Sequence, residues 1–186
     1  MRRLSFVVLS ALLCAPASAE ALSRKLLVNG DSLAVGTKPY IPPALEGWKV
    51  TQSTAVSRHA HQGADVMRRY GRKLPRVIHV SLGTNDDPSQ VEGFSASIEE
   101  IMEVAGPRRC VVWTNIVRPP FQGTSYDAYN RALAREDRER DNLRVVNWAR
   151  MVKRNRDWLA DDGVHVSAEG YRARARAVAR QVQRCR

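Results

Sequence analysis

The 186-residue sequence predicts an α/β domain, with one parallel sheet covered by helices on both faces. Three observations predict it. Five short apolar runs of strand character alternate with stretches of helical periodicity. No repeat, low-complexity tract or linker divides the chain. The strands are closed by polar clusters such as Asn29-Gly30-Asp31 and Gly83-Thr84-Asn85, as at the ligand-binding edge of an open parallel sheet.

Taken in order, Leu26-Leu27-Val28 is a buried strand that runs into the turn at Asn29-Gly30-Asp31. Residues 32–45 are partly helical but broken by Pro39 and Pro42-Pro43, since proline lacks the helix N–H and crowds the preceding turn. Trp48-Lys49-Val50 forms the second strand. Residues 62–73 carry Ala64, Val66, Met67 and Tyr70 near helical spacing, and 76–82 form the third strand. The next helix spans 91–105, with Phe94, Ile98, Ile101 and Met102 on one face. A fourth strand at 110–113 leads through the loop Arg118-Pro119-Pro120 to a polar helix at 126–140. Residues 143–146 are the fifth strand, and Ser167 caps a last helix through Tyr171, Ala175, Val178 and Val182.

The N-terminus reads differently. Arg2 and Arg3 precede an apolar run at 4–13, and Pro16-Ala17-Ser18-Ala19 ends in small residues. This pattern predicts a secretory signal peptide over 1–19, cleaved after Ala19, with a single domain over 20–186 and an exported or cell-envelope location. The apolar run is too short to span a bilayer of about 30 Å. Leu13 before Cys14 is too bulky for a lipidation site. Export leaves Cys110 and Cys185, which can pair in an oxidising compartment. Both fall at the sheet edge opposite the polar clusters.

The net charge of +11 includes two from Arg2 and Arg3, leaving +9 from Glu20 onward. Such a charge permits acidic partners, including cell-wall polymers and anionic headgroups. Most arginines fall in helical stretches, where charged faces are simply solvated. No zinc-finger spacing or RNA-binding aromatic signature accompanies them, so nucleic acid is not an expected partner. His59 and His61 lack further ligands for a metal site, His79 alternates within a strand as a packed residue, and no cofactor is expected.

The chemistry gathers at the polar edge. A serine hydroxyl is a weak nucleophile and needs a base in hydrogen-bond reach, itself oriented by a third group. Ser32 follows the first strand, and Asp162-Gly163-Val164-His165 precedes the last helix, which starts at that edge. Asp162 and His165 can meet across one tight turn, with Gly163 easing the bend. Asp161 is the competing carboxylate, but Asp162 has the matching spacing. Donors for an oxyanion come from the Ser32 N–H and the Asn85 amide, provided strands one and three are neighbours as in a flavodoxin-like order. The G-x-S-x-G elbow of ordinary α/β-hydrolases is absent.

Gly30-Asp31-Ser32-Leu33, Gly83-Thr84-Asn85-Asp86 and Asp162 to His165 resemble, in order, three blocks of the SGNH (GDSL) hydrolases. The resemblance covers the chain from about Val28 to Tyr171 and implies a flavodoxin-like three-layer sandwich and a serine esterase. Ser57-Arg58 with Gly63, and Val146-Asn147-Trp148 with the stretch from Asp157 to His165, are similar to the catalytic domains of peptidoglycan O-acetyltransferases. In the second block the family carries a glycine whose N–H joins the oxyanion hole. Ser57 is the nearer position here and Gly63 the competing one. Asp86-Asp87 stands where those transferases tend to place glycine after the asparagine, which turns the reading toward a hydrolysing esterase. Trp158, close to the catalytic segment, is the tryptophan expected to touch substrate. By the same resemblance, the implied reaction is hydrolysis of acetyl or short acyl esters on carbohydrate. A glycan O-acyltransferase with a separate donor, or a binding domain without activity, are the alternatives.

Overall fold

The structure is a computed structural model describing residues 24–185. The signal-peptide expectation for 1–19, with Cys14, lies outside the described residues. Five strands, β1 (Arg24–Gly30), β2 (Trp48–Thr54), β3 (Val77–Ser81), β4 (Cys110–Thr114) and β5 (Leu143–Val146), form one parallel sheet in the order β2-β1-β3-β4-β5. Among the described residues seven α-helices accompany them: α1 (Ser32–Thr37), α2 (Ile41–Ala44), α3 (Gln62–Tyr70), α4 (Val91–Ala105), α5 (Asp127–Glu139), α6 (Trp148–Arg154) and α7 (Ala168–Val182).

The two faces follow from the period of two along each strand. Leu27, Ile78, Val80, Val111 and Trp113 point to one side, where they pack with Met67 of α3, Ile98 and Ile101 of α4 and Leu133 of α5. Leu26, Val28, Val77 and Val112 point to the other, against Ala34 of α1, Ile41 of α2 and Val178 and Val182 of α7. Both faces are covered, which is why the central strands read as continuous apolar runs. The result is the three-layer, flavodoxin-like α/β arrangement expected from the sequence.

Three local readings change. Pro42 and Pro43 lie in the first turn of α2, where a missing N–H costs nothing, so they start a helix rather than break one. β2 continues through Thr51, Gln52, Ser53 and Thr54; as an edge strand it stays half-buried and needs no apolar run. The sequence reading places no helix at α6, which Asn147 caps by accepting the Arg150 N–H at 3.1 Å. Its signal was short: Trp148, Met151 and Val152, one turn of apolar spacing.

Cys110, opening β4, is disulfide-bonded to Cys185 beyond α7, with Cα atoms 5.7 Å apart. Among the described residues no helix is long and apolar enough to cross a membrane.

Candidate active site

The carboxyl ends of β1 and β3 lie side by side, with Gly30 opposite Ser81. Asp31 then turns the chain into α1. Its carboxylate accepts the Leu33 N–H at 3.0 Å, and its own N–H donates to the Ser81 carbonyl at 3.0 Å. Ser32 is therefore the first residue of a capped helix, with its N–H among the unpaired donors of that terminus. The residue is half-buried, its hydroxyl open to the polar edge.

His165 arrives from far along the chain. Its segment closes on itself through the antiparallel bridge between Leu159 and Val166 and the Ala160 N–H to His165 carbonyl bond at 2.9 Å. Within it Gly163 has φ +66°, a left-handed conformation that glycine adopts without penalty. Asp162 does two jobs with two oxygens. Oδ1 accepts the N–H groups of Val164 and His165, each at 2.9 Å, while Oδ2 lies 2.6 Å from His165 Nδ1. The hydrogen bond to His165 is the main reason the Asp162 carboxyl is held down to about 2. An ionised carboxylate only accepts, so Nδ1 carries a proton, and the tautomer with that single proton presents Nε2 as an acceptor. Nε2 sits 2.9 Å from Ser32 Oγ. Serine, imidazole and carboxylate are thus joined in one line of hydrogen bonds.

The second loop follows β2. Ala55 to Arg58 form a turn in which Arg58 N–H donates to the Ala55 carbonyl at 3.4 Å and Ser57 has φ +60°. That is the backbone region where a glycine is at ease. Ser57 N–H makes no hydrogen bond among the described residues. Gly63, the competing position, donates its N–H to the Ala60 carbonyl at 2.9 Å. Its bareness serves packing instead, since a Cβ there would overlap Ile101 and Leu82.

Asn85 faces the same turn. Its side-chain amide donates to the Arg58 carbonyl at 3.2 Å, which uses one of two amide hydrogens. Three side chains that sequence reasoning left aside lock this corner. The Arg58 guanidinium donates to the carbonyls of Ser53 and Gly30 and to Asn29 Oδ1, tying the turn to the ends of β1 and β2. Both Asp86 oxygens accept the Ala60 N–H, at 3.0 and 3.3 Å, and one lies 3.3 Å from His59 Nδ1. Arg118 donates to the Thr84 carbonyl at 2.6 Å. Arg58 and Asp86 stand inside motifs already noted and Arg118 in none, but their contacts run largely through backbone atoms that only the fold brings near.

The remaining expected residues fall as follows. Trp158 is half-buried and stacks on Trp148, with ring centroids 5.7 Å apart and planes 9° apart, below the His165 segment. His79 is buried, its Nε2 2.9 Å from Thr114 Oγ1, and burial pushes its pKa down to about 3. His59 and His61 stack on each other at 5.6 Å. Among the described residues no group of three or more His, Cys, Asp or Glu side chains could hold a metal ion.

Known proteins carry related folds. The catalytic domain of peptidoglycan O-acetyltransferase A from Streptococcus pneumoniae superposes with a TM-score of 0.67 at 19% identity, over 88% of this chain and 92% of that one. A GDSL-like lipase from Bacteroides thetaiotaomicron gives 0.72 at 16% identity, over 87% and 89%. A family 3 carbohydrate esterase from Talaromyces cellulolyticus gives 0.69 at 17% identity, over 87% and 97%. No curated protein sequence matches. The profile of the GDSL-like lipase/acylhydrolase family matches residues 28–173, the span that holds Ser32, Asn85, Asp162 and His165. With the sheet order and the three converging loops, that match establishes that the chain belongs to the GDSL-like lipase/acylhydrolase family of serine esterases.

Proposed function

We propose that this protein is an exported esterase that hydrolyses acetyl or short acyl esters on carbohydrate through an acyl-Ser32 intermediate. The observation that carries the reading is the hydrogen-bonded line from Ser32 Oγ through His165 to Asp162. Ser32 Oγ attacks the ester carbonyl while His165 Nε2 takes its proton. The carbonyl oxygen gains charge and is held by the N–H groups of Ser32 and Ser57 and by the second amide hydrogen of Asn85. His165 then returns the proton to the leaving alcohol. Water enters, gives a proton to His165 and attacks the acyl carbon; His165 then returns that proton to Ser32 Oγ as the acid leaves. Asp162 keeps the ring oriented throughout and offsets the imidazolium charge. The cycle needs no metal or organic cofactor.

The carbohydrate class is supported by the fold shared with a carbohydrate esterase and a peptidoglycan O-acetyltransferase. Half-buried Trp158, near the His165 segment in sequence, is then the aromatic face offered to a sugar ring. Hydrolysis is preferred to transfer because Asp86 and Asp87 stand where the resembling transferases tend to carry glycine, and the 41% and 50% exposed His165 and Asp162 side chains leave the site open to water. In the transferase reading a glycan hydroxyl replaces that water, and a separate protein supplies the acyl group. Export rests on the N-terminal pattern at 1–19.

The deciding experiment compares the protein with Ser32→Ala on p-nitrophenyl acetate and on an acetylated glycan. Rapid product release by the wild type alone is expected. Equal, slow release by both would overturn the assignment. An added glycan acceptor that gains acyl groups faster than free acid appears would move the reading to transfer.

A further inference from the structure

α7 packs on the sheet through Ala173, Ala175, Ala177, Val178, Ala179 and Val182, and in the midst of these small residues stands Arg174. It is 1% exposed, although arginine is almost never fully buried without a partner. Its guanidinium lies over the Trp148 ring at 5.4 Å, and Nη2 is 2.7 Å from Ser81 Oγ. Ser81 has a single proton, which it gives to Asp31 Oδ1 at 3.4 Å. It must therefore accept from Arg174. The direction of each bond is fixed: the guanidinium donates to the hydroxyl, the hydroxyl to the carboxylate, and the Leu33 N–H at the start of α1 to the same carboxylate.

Asp31 is fully buried too. The acids buried among the described residues are Asp31 and Glu136, and Glu136 of α5 is paired with Arg140 just beyond that helix. Asp31 is then the one buried counter-charge within reach of Arg174. Burial alone pushes the Asp31 carboxyl up, and the Arg174 charge opposes that. The other groups around the pair are His79 on β3, neutral through burial, Tyr171 on α7, and Arg58 from the loop after β2.

We propose that Arg174 is a positioning residue for the esterase reaction: through Ser81 it holds Asp31 as the carboxylate that caps α1, and so sets Ser32 and its N–H for attack. The inference rests on Ser32 being the nucleophile. The pair also leaves the ground beneath the oxyanion neutral. Without the guanidinium, a carboxylate one residue from Ser32 either takes up a proton or stands as an uncompensated negative charge where an oxyanion must form.

The test measures kcat and KM on p-nitrophenyl acetate, per serine labelled by a fluorophosphonate, for Arg174→Met, Arg174→Lys, Asp31→Asn and Asp31→Asn/Arg174→Met. The expected result is a fall of about tenfold or more in kcat for Arg174→Met, with KM within about twofold, and a smaller loss for Arg174→Lys. The double variant should lose at least about tenfold less than the product of the two single losses, since it removes both charges. Losses that simply multiply, or an Arg174→Met protein that melts earlier but turns over unchanged, would overturn the proposal. So would a Lys variant as slow as the Met one. Should Arg174→Met alone not fold, the double variant decides: the charge-pair account requires it to fold, and its failure sinks the account. Wild type is first compared with Ser32→Ala. Equal rates there sink the esterase reading, whereas a fast wild type matched by Arg174→Met sinks this inference alone.

Discussion

Removing the disulfide should cost this protein much of its stability and almost none of its chemistry. Cys110 and Cys185 are 75 residues apart in sequence, so the bond closes a long loop in the unfolded chain. The chain-entropy relation gives about 4.5 kcal/mol at 25 °C for a loop of that length, a large part of the 5–15 kcal/mol typical of a whole domain. For a chain of this size 1 kcal/mol moves Tm by about 2–4 °C, so the loss corresponds to roughly 9–18 °C. The double variant Cys110→Ala/Cys185→Ala isolates this term, because both side chains are only half-buried and little packing goes with the sulfurs. Guanidinium unfolding at equilibrium, read by circular dichroism, supplies the free energy, and p-nitrophenyl acetate turnover at 25 °C the chemistry. The bond joins the start of β4 to the end of α7, whereas Ser32, Asn85 and His165 gather at the other ends of β1, β3 and α7. Turnover per folded molecule should therefore stay within about twofold. A stability change below about 1 kcal/mol, or a tenfold loss of kcat in a protein that remains folded, would refute the reasoning.

Other perturbations probe the site and its surroundings. Asn85→Ala removes a proposed oxyanion donor and should lower kcat by about 10²–10³ with KM little changed; an intact kcat would remove Asn85 from the proposed oxyanion hole. Ser57→Gly keeps the N–H and suits φ +60°, so activity should hold while Tm stays level or rises; a large loss of kcat would point to the Ser57 hydroxyl instead. Asp162→Asn lets the imidazole take the wrong tautomer and should lower kcat by about 10³–10⁴, visible in steady-state kinetics. The fourth concerns pH. His79 stays neutral in the fold down to about 3, while in the unfolded chain it takes up a proton near its ordinary value of 6.5. The unfolded state thus binds more protons across that window, and stability should fall as pH drops from 6.5 toward 3, by about 1.4 kcal/mol per unit. Denaturation midpoints measured at intervals from pH 7 to 4 should slope accordingly for the wild type and flatten for His79→Gln. An unchanged slope in that variant would assign the acid sensitivity elsewhere.

The sequence by itself determined the fold class and singled out Ser32, Asp162 and His165 as the candidate reacting side chains, because both are written in local or ordered signals. Strands buried on two faces must be apolar at nearly every position, and the turn chemistry of Asn29-Gly30-Asp31 and Asp162-Gly163 is carried by neighbours a few residues apart. The edge strand β2 and the short α6 were harder to read, since an edge tolerates polar residues and seven helical residues barely establish a period. Only the tertiary structure decided between Ser57 and Gly63 as the position with an uncommitted N–H, for that depends on a turn angle and on which acceptor lies nearby. It alone brought Ser32 within 2.9 Å of a histidine 133 residues away, and Arg174 beneath Asp31 through Ser81. A buried arginine on α7 has the same letter as the solvated arginines around it. What distinguishes it is the loss of water on packing, and water is lost only when the whole sheet and helix have come together.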